Sequence, residues 1–139
     1  MINYMNLIAW VFVASGQVTS VLSGEEILNV CMDGKHHKAT PGPEAELFGT
    51  CSPWKDRSCC TNETAFLSHQ DGEEGAYGFN YDHCGQKMSD KCRQRFNEDN
   101  CFYECSPNMG PWIVDVQSSY RNQKFEDVPL CMSECVDWW

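Results

Sequence analysis

The chain has 139 residues, ten of them cysteine, and a formal net charge of −10 at neutral pH. Its length excludes more than one domain of ordinary size. A surface this acidic, without a Lys- or Arg-rich run, repels phosphate backbones and anionic lipid, so we exclude nucleic acid as a partner.

An apolar run covers residues 7–14 and is followed by small and polar residues. We interpret residues 1–20 as a signal peptide and residues 21–139 as the remaining domain, with cleavage after Gly16 or, preferably, after Ser20. A membrane anchor is the weaker interpretation, because eight apolar residues span only about 12 Å as a helix against a hydrocarbon core of about 30 Å. With such a leader, the many cysteines predict a secreted or cell-surface domain held by disulfides.

The first segments after the leader carry few regular patterns. Apolar spacing predicts a short helix over residues 25–32, and residues 33–43 form a loop because glycines and prolines interrupt them. The neighbouring Cys59 and Cys60 should bond to two different partners, since a bond between adjacent cysteines is strained. Asn62 opens a glycosylation sequon and is expected on an exposed loop.

The clearest helix runs from about Ser89 to Cys105, with Ser89 or Asp90 as its expected N-cap. At 100° per residue, Asp99 and Tyr103 share one face, while Cys101 and Cys105 lie on a stripe about 200° away. The cysteine face should therefore anchor the helix, and the face with Asp99 should be presented.

Two further segments have simpler patterns. Residues 71–78 contain three glycines among acidic residues, which predicts a flexible exposed loop. Residues 129–139 predict a second helix that places Cys131 and Cys135 one turn apart.

The motifs along the chain resemble those of the folate receptors. They are Cys31-Met32, Lys35-His36-His37-Lys38, Pro41-Gly42-Pro43-Glu44, Cys51, Pro53-Trp54-Lys55, Cys59-Cys60, His83-Cys84-Gly85, the run from Cys101 to Trp112, Val128-Pro129-Leu130-Cys131 and the stretch from Cys135 to Trp139. The resemblance covers the whole chain after the leader. It implies a disulfide-rich α+β domain, of which this sequence is the N-terminal portion and incomplete at its C-terminal side, with folate held in a deep cleft.

The resemblance also implies a disulfide pattern, which spacing alone leaves open. The expected pairs are Cys31–Cys59, Cys51–Cys101 and Cys60–Cys105. The expected partners of Cys84, Cys92, Cys131 and Cys135 lie beyond Trp139.

The same resemblance assigns a folate site. Asp99 is the expected anchor, because a carboxylate accepts two parallel hydrogen bonds from the N–H and the exocyclic amine of a pterin. Flat heteroaromatic rings also need aromatic walls and, for an anionic ligand, cations. The expected walls are Tyr103, Tyr77, Tyr81 and Tyr120, and the expected cations are Arg121 and Lys124.

Two functions remain open from the sequence. The first is a receptor for folic acid and reduced folates that serves their uptake, at the outer face of the plasma membrane or secreted. The alternative is a cell-surface recognition protein of gamete adhesion with a vestigial pocket, which contacts a protein partner. Asp99 together with Arg121 favours the first. Whether a glycolipid anchor attaches the protein is left open, and we expect no enzyme activity, metal or cofactor, since the chain lacks catalytic and zinc-binding motifs.

Overall fold

The computed structural model describes residues 27–82, 85–118 and 121–139. The elements in chain order are the 3₁₀ helix η1 (Gly49–Trp54), α1 (Asn62–Leu67), the 3₁₀ helix η2 (Gly72–Glu74), α2 (Asp90–Cys105), the 3₁₀ helix η3 (Gly110–Trp112), β1 (Ile113–Asp115), β2 (Gln123–Phe125) and α3 (Met132–Trp138). β1 and β2 pair antiparallel, with Val114 opposite Lys124. This mixture of helices and a small sheet confirms the predicted α+β class.

Helix α2 is the central element of the described structure. It begins as predicted, because the extended Ser89 accepts a hydrogen bond from the backbone N–H of Cys92. It ends at Cys105, since Ser106 turns extended just before Pro107. The helix buries Cys101, Glu104 and Cys105, so the face with the cysteines is the anchored one, as expected.

Three disulfides tie the chain around this buried face. They join the pairs that the resemblance implied, Cys31–Cys59, Cys51–Cys101 and Cys60–Cys105, with Cα–Cα distances of 5.4, 4.9 and 4.5 Å. Cys59 and Cys60 thus hold two different partners. The core consists of the last two disulfides packed with Leu47 and Ala65, and Trp54 covers it. η1 and α1 are thereby fixed against α2.

The segment before the first disulfide corrects one prediction. The helix expected over residues 25–32 is wrong after Ile27, where Leu28 and Asn29 are non-helical; residues 25 and 26 lie outside the description. Val30 instead forms a parallel bridge with Asn108, and its N–H donates to the Pro107 carbonyl at 3.0 Å. Pairing with the chain that leaves α2 outweighs the weak local preference for a helix. Residues 33–43 form the predicted loop, with an isolated bridge at Gly42.

Two other segments also differ from expectation. Asn62 is exposed, but it is the first residue of α1 rather than part of a loop, because Thr61 caps that helix through the N–H of Thr64. Residues 71–78 contain η2 and fold back onto α1, where the N–H of Ala76 donates to the Leu67 carbonyl at 3.0 Å. This hydrogen bond to the end of α1 depends on how the segment folds back, which composition does not encode.

The C-terminal helix is shorter than predicted. Residues 129–131 are not helical, and α3 begins after Cys131, whose extended backbone forms the N-cap without a side-chain hydrogen bond. None of the α3 residues is buried. Cys92, Cys131 and Cys135 are free thiols within the part of the chain described.

Some predictions fall outside the described residues. They concern the signal peptide over residues 1–20, Cys84 and Tyr120. Within residues 27–82, 85–118 and 121–139, we find no helix that combines the length and the apolar character needed to cross a bilayer.

Candidate functional site

An open groove of about 600 Å³ lies along α2 and is walled by aromatic rings. The rings come from three segments: Tyr77, Phe79 and Tyr81 from the chain before α2, Phe96, Phe102 and Tyr103 from α2, and Phe125 from β2. We call this the aromatic groove. Its walls combine flat apolar faces with phenolic hydroxyls, which suits a flat heteroaromatic ligand.

Asp99 lies in the wall of the aromatic groove, one helical turn before Tyr103. Its carboxyl group makes no hydrogen bond or ion pair with any residue that the structure describes. The side chain is exposed on its open side, yet the apolar wall removes part of its water. This desolvation raises the pKa of Asp99 above its ordinary value. A carboxyl group that borders a partly dry groove thus has no partner among the described residues.

The tyrosines are held by contacts behind the groove. Tyr81 packs between Phe79 and Phe96, with ring centroids 5.3 and 5.2 Å away, and its hydroxyl accepts a hydrogen bond from Asn100 Nδ2 at 3.0 Å. The Arg93 guanidinium lies 5.4 Å from the centre of the Tyr81 ring. These contacts fix the outer wall before a ligand arrives.

The inner wall is built around Tyr103. Its ring meets Phe125 edge-on at 5.2 Å between centroids, and its hydroxyl accepts a hydrogen bond from Arg121 Nη1 at 3.2 Å. Arg121 lines the groove. The structure therefore brings Asp99, Tyr103 and Arg121 to one surface, together with Tyr77 and Tyr81.

Lys124 lies apart from the other predicted site residues that the structure describes. It is not among the residues that line the aromatic groove. Because side chains alternate along β2, Lys124 faces the side opposite to Phe125, where it forms an ion pair with Glu126 at 3.4 Å. Of the two predicted cations, the groove therefore brings in Arg121.

Sequence reasoning missed a buried cluster behind the groove. Glu104 is 1 % exposed, and its Oε1 accepts a hydrogen bond from the Tyr77 hydroxyl at 2.7 Å. Burial of the hydroxyl, reinforced by this carboxylate, raises the pKa of Tyr77 far above its usual range. The signal was present in the sequence, because Glu104 directly precedes Cys105 on the anchored side of the predicted helix.

One group of side chains in the described residues has the proximity of a metal site. It consists of Cys51, His69 and Cys101. The two cysteines are bonded to each other, and His69 Nε2 accepts from the Thr50 N–H at 3.1 Å. Sulfurs in a disulfide are not thiolate ligands, so this group does not fit a metal ion.

Comparison with known proteins decides the family. The model of the folate receptor family matches residues 30–139. The chain belongs to the folate receptor family. This confirms the resemblance drawn from the cysteine and motif spacing.

Individual relatives in the folate receptor family support the same conclusion. The chain is 50 % identical to human folate receptor gamma over 90 % of its own length and 50 % of the relative's. It is 44 % identical to human folate receptor alpha, over 96 % and 51 % respectively. A more distant relative is chicken riboflavin-binding protein, 34 % identical over 78 % of the chain and 43 % of the relative. The chain thus spans about half the length of the curated relatives it matches.

Proposed function

We propose that this protein is a receptor that binds folic acid and reduced folates and serves their uptake into cells. The observation that carries the proposal is the placement of Asp99 in an aromatic groove, beside Tyr103 and Arg121. Membership of the folate receptor family and the names of the folate receptor relatives support it.

The chemistry of the groove explains how recognition would work. The two Asp99 oxygens accept the adjacent donors of the pterin ring, and a charge-assisted pair in a partly dry wall is stronger than the same pair in water. The rings of Tyr77, Tyr81 and Tyr103 pack against the flat ligand. Arg121 donates to a carbonyl oxygen or an anionic group, and it is the cation that the described groove supplies.

The remaining properties belong to the same proposal. The protein acts by binding alone, without catalysis or a cofactor, and it takes no metal ion. It works outside the cell or on the outer face of the plasma membrane, with Asn62 available for glycosylation on the exposed end of α1. Three disulfides in a small domain are typical of an oxidising compartment.

The test is a titration of the secreted protein with folic acid, followed by calorimetry and by quenching of tryptophan fluorescence. Asp99→Ala should lose most of the affinity, about 10- to 100-fold, because a hydrogen bond to a charged group contributes about 1.5–3 kcal/mol.

Asp115→Asn is the control. This exposed carboxylate on β1 accepts a hydrogen bond from the Gln123 side chain and does not line the groove. The variant should bind folic acid like the wild type. Equal affinity of the wild type and Asp99→Ala would show that Asp99 does not anchor the ligand. Absence of binding by the wild type would instead favour adhesion through protein contact.

A further inference from the structure

A second cavity, of about 450 Å³, lies behind the aromatic groove. It shares Tyr77, Tyr103 and Arg121 with the groove, so the same side chains separate the two spaces. Glu104 and His37 line this rear cavity, and their side chains are only 2 % and 3 % exposed. Polar atoms buried this deeply are costly unless they form hydrogen bonds, so the partner of each one matters.

The hydrogen bonds of His37 determine where its protons lie. Nε2 is 3.1 Å from the backbone carbonyl oxygen of Tyr103. A carbonyl oxygen can only accept, so Nε2 must carry a hydrogen. The other ring nitrogen, Nδ1, lies 3.4 Å from Glu104 Oε2.

The contact between Nδ1 and Oε2 is not a hydrogen bond, because neither atom has a hydrogen-bond partner among the described residues. Each side chain is held instead by its other polar atom, His37 through Nε2 and Glu104 through Oε1. Buried polar atoms without partners are costly, so the placement of both side chains depends on these two hydrogen bonds.

The pair is connected to both inner tyrosines of the groove. Glu104 Oε1 accepts from the Tyr77 hydroxyl at 2.7 Å. His37 donates to the Tyr103 backbone, and its ring meets the Tyr103 ring edge-on at 5.7 Å between centroids. A shift of the pair would therefore be transmitted to two walls of the proposed ligand site.

We propose that Glu104 and His37 are positioning residues of the folate site, which act through Tyr77 and Tyr103 and keep these rings in the binding arrangement. This inference rests on the proposed function. Neither residue needs to touch the ligand, and their effect on affinity arises from the placement of the rings.

Other charged and titratable groups line the rear cavity with the pair. Lys35 and His36 come from the loop of residues 33–43, Tyr77 from the segment before α2, Tyr103 from α2 and Arg121 from the segment before β2. Glu104 is the single carboxylate in this lining. It is therefore the acidic group that the test has to change.

The decisive variant is Glu104→Gln, with folic acid as the probe. The amide oxygen still accepts from the Tyr77 hydroxyl, so we expect affinity within about threefold of wild type. Glu104→Leu has no acceptor for Tyr77 and should bind about tenfold more weakly. Recovery of affinity in the variant that keeps the acceptor separates the role of this hydrogen bond from a general effect of changing a buried residue.

Glu44→Gln is the control, because this carboxylate pairs with Lys38 and lies outside both cavities. It should bind folic acid like the wild type.

Tyr77→Phe keeps the test decisive if Glu104→Leu is not secreted. It removes one hydroxyl from a side chain that is 43 % exposed and should weaken binding about threefold to tenfold. Equal affinity of Glu104→Gln and Glu104→Leu, or unchanged affinity in Tyr77→Phe, overturns the positioning role while the receptor function stands. Failure of the wild type to bind folic acid would overturn the receptor function itself.

Discussion

The segment between residues 31 and 109 and the segment after it are built differently. Every buried apolar residue of the described chain lies in the first: Met32, Leu47, Cys51, Cys59, Cys60, Ala65, Cys101, Cys105 and Met109. In the second, α3 buries nothing, and Met132, Val136 and Trp139 are 77 %, 66 % and 106 % exposed. The first segment is stabilised by crosslinks and a core, and the second by surface contacts.

Those surface contacts connect α3 to α2 near the aromatic groove. Arg95 forms ion pairs with Asp137 at 3.0 Å and Glu134 at 3.9 Å, and the Phe96 ring meets Trp138 at 5.1 Å between centroids. Exposed ion pairs contribute little to stability. The difference between α2 and α3 shows that a helical pattern in the sequence does not tell how firmly the helix is packed. That depends on which other segments cover it.

The largest difference between the two segments, measured as the loss of unfolding free energy, should appear when cysteines are removed in pairs. The double substitution Cys51→Ala, Cys101→Ala opens a loop with a sequence separation of 50, which should lower the free energy of unfolding by about 4 kcal/mol. The double substitution Cys131→Ala, Cys135→Ala removes two exposed thiols and should change it by less than about 0.5 kcal/mol. Urea unfolding of the secreted proteins measures both, and equal losses would contradict the contrast.

Replacing one methionine in each segment should give the next largest difference in unfolding free energy. Met32 is 2 % exposed, so Met32→Ala should cost about 2–5 kcal/mol through lost contacts and a cavity. Met132→Ala is the matched control at a 77 % exposed position and should shift the free energy by less than about 0.5 kcal/mol. A shift of the urea midpoint in Met132→Ala comparable to that in Met32→Ala would show that α3 is covered in solution.

A smaller effect is expected at Asp99, which lies where the two segments meet. Desolvation raises the pKa of its carboxyl group in the folded chain, so the folded state binds a proton more readily than the unfolded state. The ionised form therefore destabilises the fold at neutral pH, and the penalty disappears as the pH falls through the raised pKa towards the unfolded value of about 3.9.

Asp99→Asn should accordingly raise the urea midpoint slightly at neutral pH and lose this advantage in acid, while it weakens folate binding. Asp115→Asn, at the exposed position on β1, should show no such gain. A lower midpoint of Asp99→Asn at neutral pH would mean that the carboxylate has a stabilising partner.

The smallest global effect is expected for Arg95→Met. The change removes the ion pairs between α2 and α3, so the amides of α3 should exchange hydrogen faster while those of residues 101–105 are unaffected. Lys124→Met, which removes the surface ion pair with Glu126, is the control and should leave α3 exchange unchanged. A fall in the global urea midpoint of Arg95→Met would show that α3 unfolds together with the core.

Local rules predicted α2 well because its signals are local. Ser89 caps the helix, Pro107 follows its end, and the angular spacing separates Asp99 and Tyr103 from Cys101 and Cys105. The pairing of those cysteines came from the resemblance, because spacing leaves the connectivity open.

The arrangement differs from the one expected from the sequence where distant segments meet. Residues 28–30 are not helical because Val30 pairs with Asn108, and Lys124 turns from the groove because β2 pairs with β1. Glu104 meets His37 and Tyr77 only through folding of two loops onto α2. No periodicity along the chain carries information on such contacts.

The sequence by itself determined the disulfide-rich class of the domain, the helix from Ser89 onwards and the presence of a carboxylate and tyrosines on its open face, since these depend on composition and on neighbours within one or two turns. Tertiary structure decided which of these side chains share a groove, which carboxylate is buried with a histidine behind it and which helix stays uncovered. These outcomes depend on burial and on hydrogen bonds between residues far apart in the chain, and their energies exist only once the disulfides and the core have brought the segments together.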